Sequence, residues 1–494
     1  MLGFGKKRGK EYATVSELVK ELKKSKDFVE FYNPQSPQGY YLYYIDSLID
    51  SEILHREVIE HLNDSSLSTI DQVKQVVPIE EIEITSDLMR IEQDLMQGSI
   101  MVLFSPEDAT CALIKARKKE KREITIPEVE FSVVGPKESF VEDLEANINL
   151  IRHRLPILEL RTEYITVGEI TKTQVAIMYI DGVANEENVN TVLQRVSDLE
   201  IDQINDSSVI AQLISDHSMS PFPQTMDTER PDRIVPMLVE GSIIIIVNGS
   251  PHVQVVPTTL LQFFSSIEDY YLNWLIASGF RIIRIFSVLF STLATPIYVA
   301  VTTYHYLLIP KELLSTLVSS RQGVPLPPII EAIFLELAIE LLREAGARLP
   351  TKVGQTIGIV GGIVIGTASV EAGLTSNVLL IIVALGALGS FTTPVYKMGN
   401  TIRLLRFPFL IAAYLYGLPG IALCVCVILI HLLNLTSLGR PYLEPFYPPR
   451  TKDFKDTFIR LPISFQSKRP IQLQTENTIR FHEQKAKQKK DLDD

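Results

Sequence analysis

From about Ile282 to Leu438 the chain is densely apolar and carries few charges, whereas before Arg281 and after Arg440 it is mixed and polar. A bilayer core is crossed by helices of roughly 20 apolar residues, because no water is present there to satisfy open backbone groups. This division predicts an integral membrane protein: an N-terminal cytoplasmic α/β domain of two subdomains, followed by a polytopic α-helical membrane domain. The averages conceal it, since 46% hydrophobic and 21% charged residues over 494 positions would suit a soluble protein. The net charge of −12 belongs mainly to the polar part. Its sign argues against nucleic acid as a partner, which needs a basic surface.

Five regions follow: an extension over 1–26, a mixed subdomain over 27–122, an α/β subdomain over 123–280, the membrane domain over 281–438 and a tail over 439–494, partly disordered. The N-terminus MLGFGKKRGK is basic but leads into a charged amphipathic stretch, so neither a cleaved signal peptide nor a myristoylation site is expected, and the polar domain should stay cytoplasmic. Three cysteines, Cys111, Cys424 and Cys426, are too few for a disulfide framework.

Helical spacing is read over Val15–Glu30 and Ser47–Leu62, and a buried strand over Ser99–Ser105. Ala109–Lys119 fits a helix or a strand; its basic end, Lys115–Arg122, reads as a solvated turn or as a lipid-headgroup patch. Glu128–Val134 alternates as a strand. Ser139 with Glu142 fits a capping box, placing a helix from there to about Arg154 with Phe140, Leu144, Ile148 and Ile151 inward. Gln174–Ile180 reads as a strand, Asn188–Leu199 as a helix, and Gly241–Val247 as a central strand turning through Asn248-Gly249-Ser250 into His252–Val256. Thr258–Phe280 reads as an aromatic-rich helix leading to the membrane. Apolar segments then cover Ile285–Ile309 (with Pro296), Ile329–Ala347, Gly354–Glu371, Asn377–Phe391, Leu404–Leu418 and Ile421–Leu435, giving four to six membrane segments. Arg343, Arg348, Lys352, Lys397, Arg403 and Arg406 are expected at cytoplasmic or interfacial ends. The tail opens with RPYLEPFYPPR, too proline-rich for regular structure, and ends in a charged stretch, Thr475–Asp494, read as disordered.

Catalytic signatures such as HExxH, GxSxG and GxxxxGK[ST] do not occur. Gly135–Ser139 lacks the leading glycine of a phosphate loop and reads as a turn plus cap. The eight histidines show no pair at ligand spacing, so no metal, no cofactor and no enzyme activity is expected.

Two patterns in the apolar region carry chemistry. Glu336, Glu340 and Glu344 are four apart on one helix face, with Glu331 just before them. Carboxylates at membrane depth must face protein or water. The stripe reads either as an acidic lining of a cation path or as a charged face paired with Arg343 and Arg348. In the second pattern, Gly354, Gly358, Gly362 and Gly366 form a small-residue ridge. Away from it lie Thr356, Val360, Ile363 or Val364, Thr367 and Glu371, which read as candidate pore-lining residues. Val360 and Ile363 would form a constriction that gates by dewetting, with Glu371 at a mouth. The alternative is an ordinary packing seam within one subunit.

Several long runs resemble the A subunits of the GerA-family spore germinant receptors: VVGPKESFVEDLEANINLIRHRL (Val133–Leu155), EGSIIIIVNGSPHVQVVPTTL (Glu240–Leu260), IEAIFLELAIELLREAGARLP (Ile330–Pro350), GQTIGIVGGIVIGTASVEAGLTS (Gly354–Ser376), RPYLEPFYPP (Arg440–Pro449) and DFKD (Asp453–Asp456). The likeness extends from about Asp27 to Leu461. It implies a multi-pass protein of the spore inner membrane with its soluble domain on the core side. It further implies two partners: a transporter-like B subunit that binds the nutrient and a lipoprotein C subunit. A subunits would form a ring, a pentamer, that opens as a nutrient-gated cation channel among the membrane lipids. The family's glycine-rich segment falls on Gly354–Ala372, which favours the pore reading of Thr356, Val360 and Ile363. A related type, SpoVAF, works without its own nutrient sensor; the N-terminus and long tail here favour the receptor type.

Three other readings compete. A secondary transporter would be expected to show inverted repeats, which are not evident. A membrane-tethered enzyme would need a catalytic constellation. A non-conducting scaffold of the receptor complex would need only the packing seams.

Overall fold

The computed structural model describes residues 12–481 apart from 35, 37, 38, 64–66, 68, 118–126, 128, 129, 350–360, 365, 451 and 452. These fall into two compact units. The first takes the described residues up to Ser215, then Thr225–Pro257 and 467–481; the second takes Asp216–Gln224 and Thr258–Gln466.

The first unit holds two five-stranded sheets. Strands β1 (Phe28–Asn33), β2 (Tyr40–Ile45), β3 (Ile82–Thr85), β4 (Ser99–Leu103) and β5 (Cys111–Lys115) lie in the order β1-β2-β4-β5-β3. Side chains alternate across a strand, so a strand covered on both faces must be apolar throughout. In β4, Met101 and Leu103 join α1 (Val15–Leu22) and α2 (Leu88–Met96) on one face, while Ile100 and Val102 join Leu54, Val58 and Leu62 on the other. Burial pushes the Cys111 thiol in β5 up to about 12, which leaves it inert.

The second sheet runs β6-β7-β9-β10-β8, from β6 (Leu160–Val167), β7 (Thr173–Ile180), β8 (Met226–Thr228), β9 (Ile243–Val247) and β10 (Val253–Val256). The IIIIV strand β9 is fully buried at its centre, and Gly249, at φ +88°, turns it into β10. Helices α3 (Leu144–Arg154), α4 (Glu186–Ser197), α5 (Ser207–Ile214) and α6 (Pro231–Glu240) complete this part. All sheet pairings in both sheets are antiparallel, so the unit is α+β rather than a doubly wound α/β domain.

Several local expectations are corrected. The first helix stops at Leu22, and Val29 lies in β1, where Phe28, Phe31 and Tyr32 favour a strand. Residues 51–63 are helical, with a π-type stretch over Ile53–Ile59. Glu130–Val134 is a loop, because the Glu130 carboxylate is held by Arg233 (2.7 Å) and Thr228 (2.6 Å) rather than its backbone by a ladder. Helix α3 starts after Asp143, which accepts from the Glu145 and Ala146 amides at 2.9 and 3.2 Å, while Ser139 donates to the Glu229 carbonyl instead. The tail is ordered further than expected. Arg469 and Arg480 amides donate to the carbonyls of Thr478 and Ser467, and the Arg469 Nε donates to the Val239 carbonyl (2.7 Å) at the end of α6. Leu473 is buried and Arg480 pairs with Glu240. Residues 482–494 lie outside the described part.

The second unit is built on helices α7 (Trp274–Thr303), α8 (Lys311–Ser320), α9 (Pro328–Ala347), α10 (described over 361–371 without 365), α11 (Asn377–Ser390), α12 (Tyr396–Tyr416) and α13 (Leu418–Asn434). The segment Thr258–Phe280 is not one helix. Two 3₁₀ turns, Leu260–Phe264 and Ile267–Tyr270, each close a capping box, and α7 begins only after Asn273. Thr259, Ser266 and Asn273 bond backbone amides more readily as caps than within a helix. Asp269 then receives Arg281 (3.0 Å) and Arg284 (3.0 Å), while Asp456 of the DFKD motif receives Arg281 (2.8 Å) and the Tyr270 hydroxyl (2.7 Å). Tyr442 of the proline-rich motif is buried and donates to the Pro223 carbonyl (2.7 Å).

Arg152 of α3 sits between the two sheets, 3% exposed, its Nε 2.5 Å from Asp27. Its Nη2 also donates to Ser25 (3.1 Å), Thr162 (3.2 Å) and the Leu160 carbonyl (3.3 Å). Removing one partner of such a pair strands a buried charge. Arg152→Ala should therefore destabilise the first unit by about 3–5 kcal/mol, measured by denaturant unfolding of the full-length protein, whereas Lys26→Ala, at an exposed pair with Glu163, should leave the midpoint nearly unchanged.

Candidate functional site

The second unit's helices run back and forth. Tyr298 near the end of α7 approaches Ser376, the cap of α11, at 3.3 Å, and Glu331 in the first turn of α9 accepts from the Ser376 amide at 3.1 Å. The Tyr304 hydroxyl after α7 donates to the Tyr414 carbonyl near the end of α12 (2.8 Å). These contacts gather the end of α7, the start of α9, the start of α11 and the turn between α12 and α13 at one end of the bundle. At the other end, Arg343 near the end of α9 donates to Ser390, the last residue of α11 (3.1 Å).

Of the four to six membrane segments expected, one described helix, α7, is long and apolar enough to cross a bilayer by length and composition; α11 and α13 are apolar but shorter. Helices α9 and α12 carry charges that lower their hydropathy, and those charges meet. Arg406 of α12 pairs with Glu336 of α9, the side chains only 2% and 1% exposed. Glu336 also accepts from Thr295 of α7 at 3.0 Å. Toward one end, Glu331, fully buried, pairs with Arg321 at 2.9 Å. Toward the other, Glu340 lies 3.1 Å from Arg343 and 3.5 Å from Arg403, and Arg343 covers the Phe391 ring at 4.5 Å. Glu344 pairs with Arg348 in the open (2.5 Å). Each carboxylate of the stripe thus has a guanidinium partner within this chain. The expected Arg343 and Arg348 are among these partners, but Arg406 is not at an interfacial end: it is buried at the middle of the helices. The signal for it was available, since a lone arginine next to the apolar run 407–418 needs a counter-ion.

Lys352, Thr356, Val360, Gly354 and Gly358 lie outside the described residues. Within 361–371, Ile363, Thr367 and Glu371, spaced by four, share an exposed face; Ile363 is 61% exposed. The opposite side packs: a Cβ added at Gly366 would stand 3.6 Å from the Leu380 side chain, one at Gly361 would run into Leu342, and Ser369 is buried. Gly362 faces open space, so the glycine ridge does not continue along one packed face. A helix turning 100° per residue rotates a four-residue repeat steadily off any straight seam. A small-residue seam between two helices lies elsewhere. On α11, a Cβ at Gly389 would stand 2.8 Å from the Ser287 carbonyl of α7, and Gly386 adjoins Ser291. Ser287, Ser291 and Thr295 repeat every four residues, the spacing that lets backbones approach. No group of three or more metal-ligating side chains is assembled among the described residues.

Comparison with known proteins places these features in context. Residues 16–472 match the family model for the Bacillus/Clostridium GerA spore germination protein. Spore germination protein GerQA of Bacillus cereus is 48% identical over 492 residues, covering 100% of this chain and 99% of that protein. Spore germination protein GerIA of the same species is 48% identical, over 93% of this chain and 69% of that one. The uncharacterized membrane protein YfkQ of Bacillus subtilis is 35% identical, over 87% and 84% respectively.

Leaving Glu336 buried without its arginine should be costly. Arg406→Ala is expected to lose about 3–5 kcal/mol, seen as a lower midpoint in thermal unfolding of the detergent-solubilised protein. The double variant Glu336→Leu/Arg406→Leu should recover most of that loss, and Arg348→Ala should leave the midpoint unchanged.

Proposed function

The chain belongs to the Bacillus/Clostridium GerA spore germination protein family, and from that premise we propose that it is the A subunit of a germinant receptor. It acts beside B-type and lipoprotein C-type subunits as an oligomeric, nutrient-gated cation channel of the spore membrane. The observation that carries the channel part is the stripe Ile363, Thr367 and Glu371, whose side chains are exposed among the described residues. The described residues of the chain leave this face uncovered while the reverse face of the same helix packs, as a pore helix contributed to a ring requires.

The proposal takes α7, α9, α10, α11, α12 and α13 as the membrane-crossing set, with their charges neutralised inside the bundle. Cytoplasmic flanks carry more Lys and Arg than external ones. Among the described residues, the end of the bundle holding the α7 entry carries Arg281, Arg284, Arg343, Arg348, Lys397 and Arg403; the far-end connections carry Lys311 and Arg321. The polar domain then lies on the cytoplasmic, spore-core side. Nutrient binding on a partner subunit shifts a two-state equilibrium of the ring. The stripe helices turn or tilt, and the constriction at Val360 and Ile363 wets.

Single-channel recording of the purified full-length protein, alone and with its partner subunits, tests this reading. Discrete cation-selective steps are expected. Ile363→Trp and Val360→Trp should lower unitary conductance, and Ile363→Ser should raise open probability by removing the dewetting barrier. Steps unaltered in all three variants would remove these residues from the lining. No conductance from a folded complex that still supports germination would leave a scaffold.

A further inference from the structure

We infer that the connection between α7 and α9, residues 304–321, is a membrane-surface anchor whose partner is the lipid of the far leaflet; this rests on the membrane reading above. The segment begins where α7 ends, at the end of the bundle marked by the Tyr304–Tyr414 hydrogen bond. Tyr306, Leu307 and Leu308 follow with their side chains outward, Leu307 being 86% exposed. Helix α8 then has no buried residue at all. Its apolar residues nevertheless fall on one arc: Leu314 and Leu317 are partly covered, Leu317 against the cluster containing Leu379 and Val383, and Leu313 and Val318 flank them in the open. Lys311, Glu312, Ser315, Thr316 and Ser319 occupy the opposite arc. An apolar arc opposed by a polar one suits a helix lying in the plane of a bilayer surface.

Charge placement points the same way. In 304–321 the Lys and Arg residues are Lys311 and Arg321. Arg321 is drawn inward by Glu331 at 2.9 Å, and its Nη2 also donates to the Leu326 carbonyl at 3.2 Å. The cation at the end of α8 is thereby removed from the surface the apolar flanks share, and the buried pair fixes α8 against the starts of α9 and α11. Tyr304 and Tyr306 place two aromatic rings at the end of the spanning helix α7, the depth at which tyrosine is favoured. Both flanks of the segment are continuous with helices of the bundle, so lipid reaches it without any further chain.

The test uses the full-length protein carrying Cys424→Ser and Cys426→Ser, in which the buried Cys111 stays unlabelled, reconstituted into phosphatidylglycerol–phosphatidylethanolamine vesicles. An environment-sensitive fluorophore is attached in turn at Leu307→Cys, Leu313→Cys and Val318→Cys, with Ser315→Cys on the polar arc and Phe286→Cys on the exposed flank of α7 as references. Blue-shifted emission, quenched by brominated lipid more than by iodide, is expected at 307, 313 and 318, with the reverse at 315. Iodide quenching at 307, 313 and 318 while 286 remains lipid-quenched would overturn the anchor alone. Shielding of those three sites from both quenchers would equally overturn it, by showing that protein covers them. Loss of lipid quenching at 286 as well would sink the membrane reading itself.

Discussion

The ion pair between Glu336 and Arg406 is the interaction on which the helical unit turns. An isolated charge at that depth would be expelled or neutralised. Here α9 supplies the carboxylate, α12 the guanidinium and α7 the Thr295 hydroxyl that fills a remaining lone pair. Three helices distant in sequence are thus held at one height. The Gly386 and Gly389 approach to Ser291 and Ser287 adds α11 to the same layer through backbone contact, and the Arg406 guanidinium also reaches the Gly386 carbonyl (3.5 Å). Such a core is specific more than it is strong, because the desolvation of both ions offsets much of their attraction.

That layer leaves α10 in an unusual position. Its inner side is tied at Gly361, Gly366 and Ser369, and its outer side shows Ile363, Thr367 and Glu371 to whatever surrounds the subunit. In the channel reading proposed above, the tightly paired helices would hold a fixed frame, and the exposed face of α10 would be the one that changes its surroundings.

Much of this was legible in the sequence, and the failures have common causes. Strands buried on both faces, such as Ile243–Val247 and Ser99–Leu103, announce themselves by unbroken apolar runs. The Asn248-Gly249 turn was equally plain, because Gly249 must adopt positive φ. Errors arose where a side chain had two possible partners. Ser139 matched a capping pattern but is engaged by the Glu229 carbonyl, and Asp143 took the cap. Val29 extended a helical period but pairs with Tyr44 across β1 and β2. Arg406 looked like an end marker because its counter-ion lies 70 positions away, and separations of that kind are invisible to local pattern. The glycine repeat was visible, but which of its members would pack depended on Leu342 and Leu380, residues outside the repeat.

The tail has an implication for how the molecule is made. Residues 467–481 complete the first unit at Val239, Glu240 and Asn185, yet more than two hundred positions of helical unit intervene after Pro257. A chain emerging from the ribosome at about 5–20 residues per second would finish both sheets well before that clasp exists. The α6 terminus would meanwhile stand open while the apolar helices were being made. The last hydrogen bonds of the earliest-made unit are therefore among the last to form, which ties its completion to the successful synthesis of everything between.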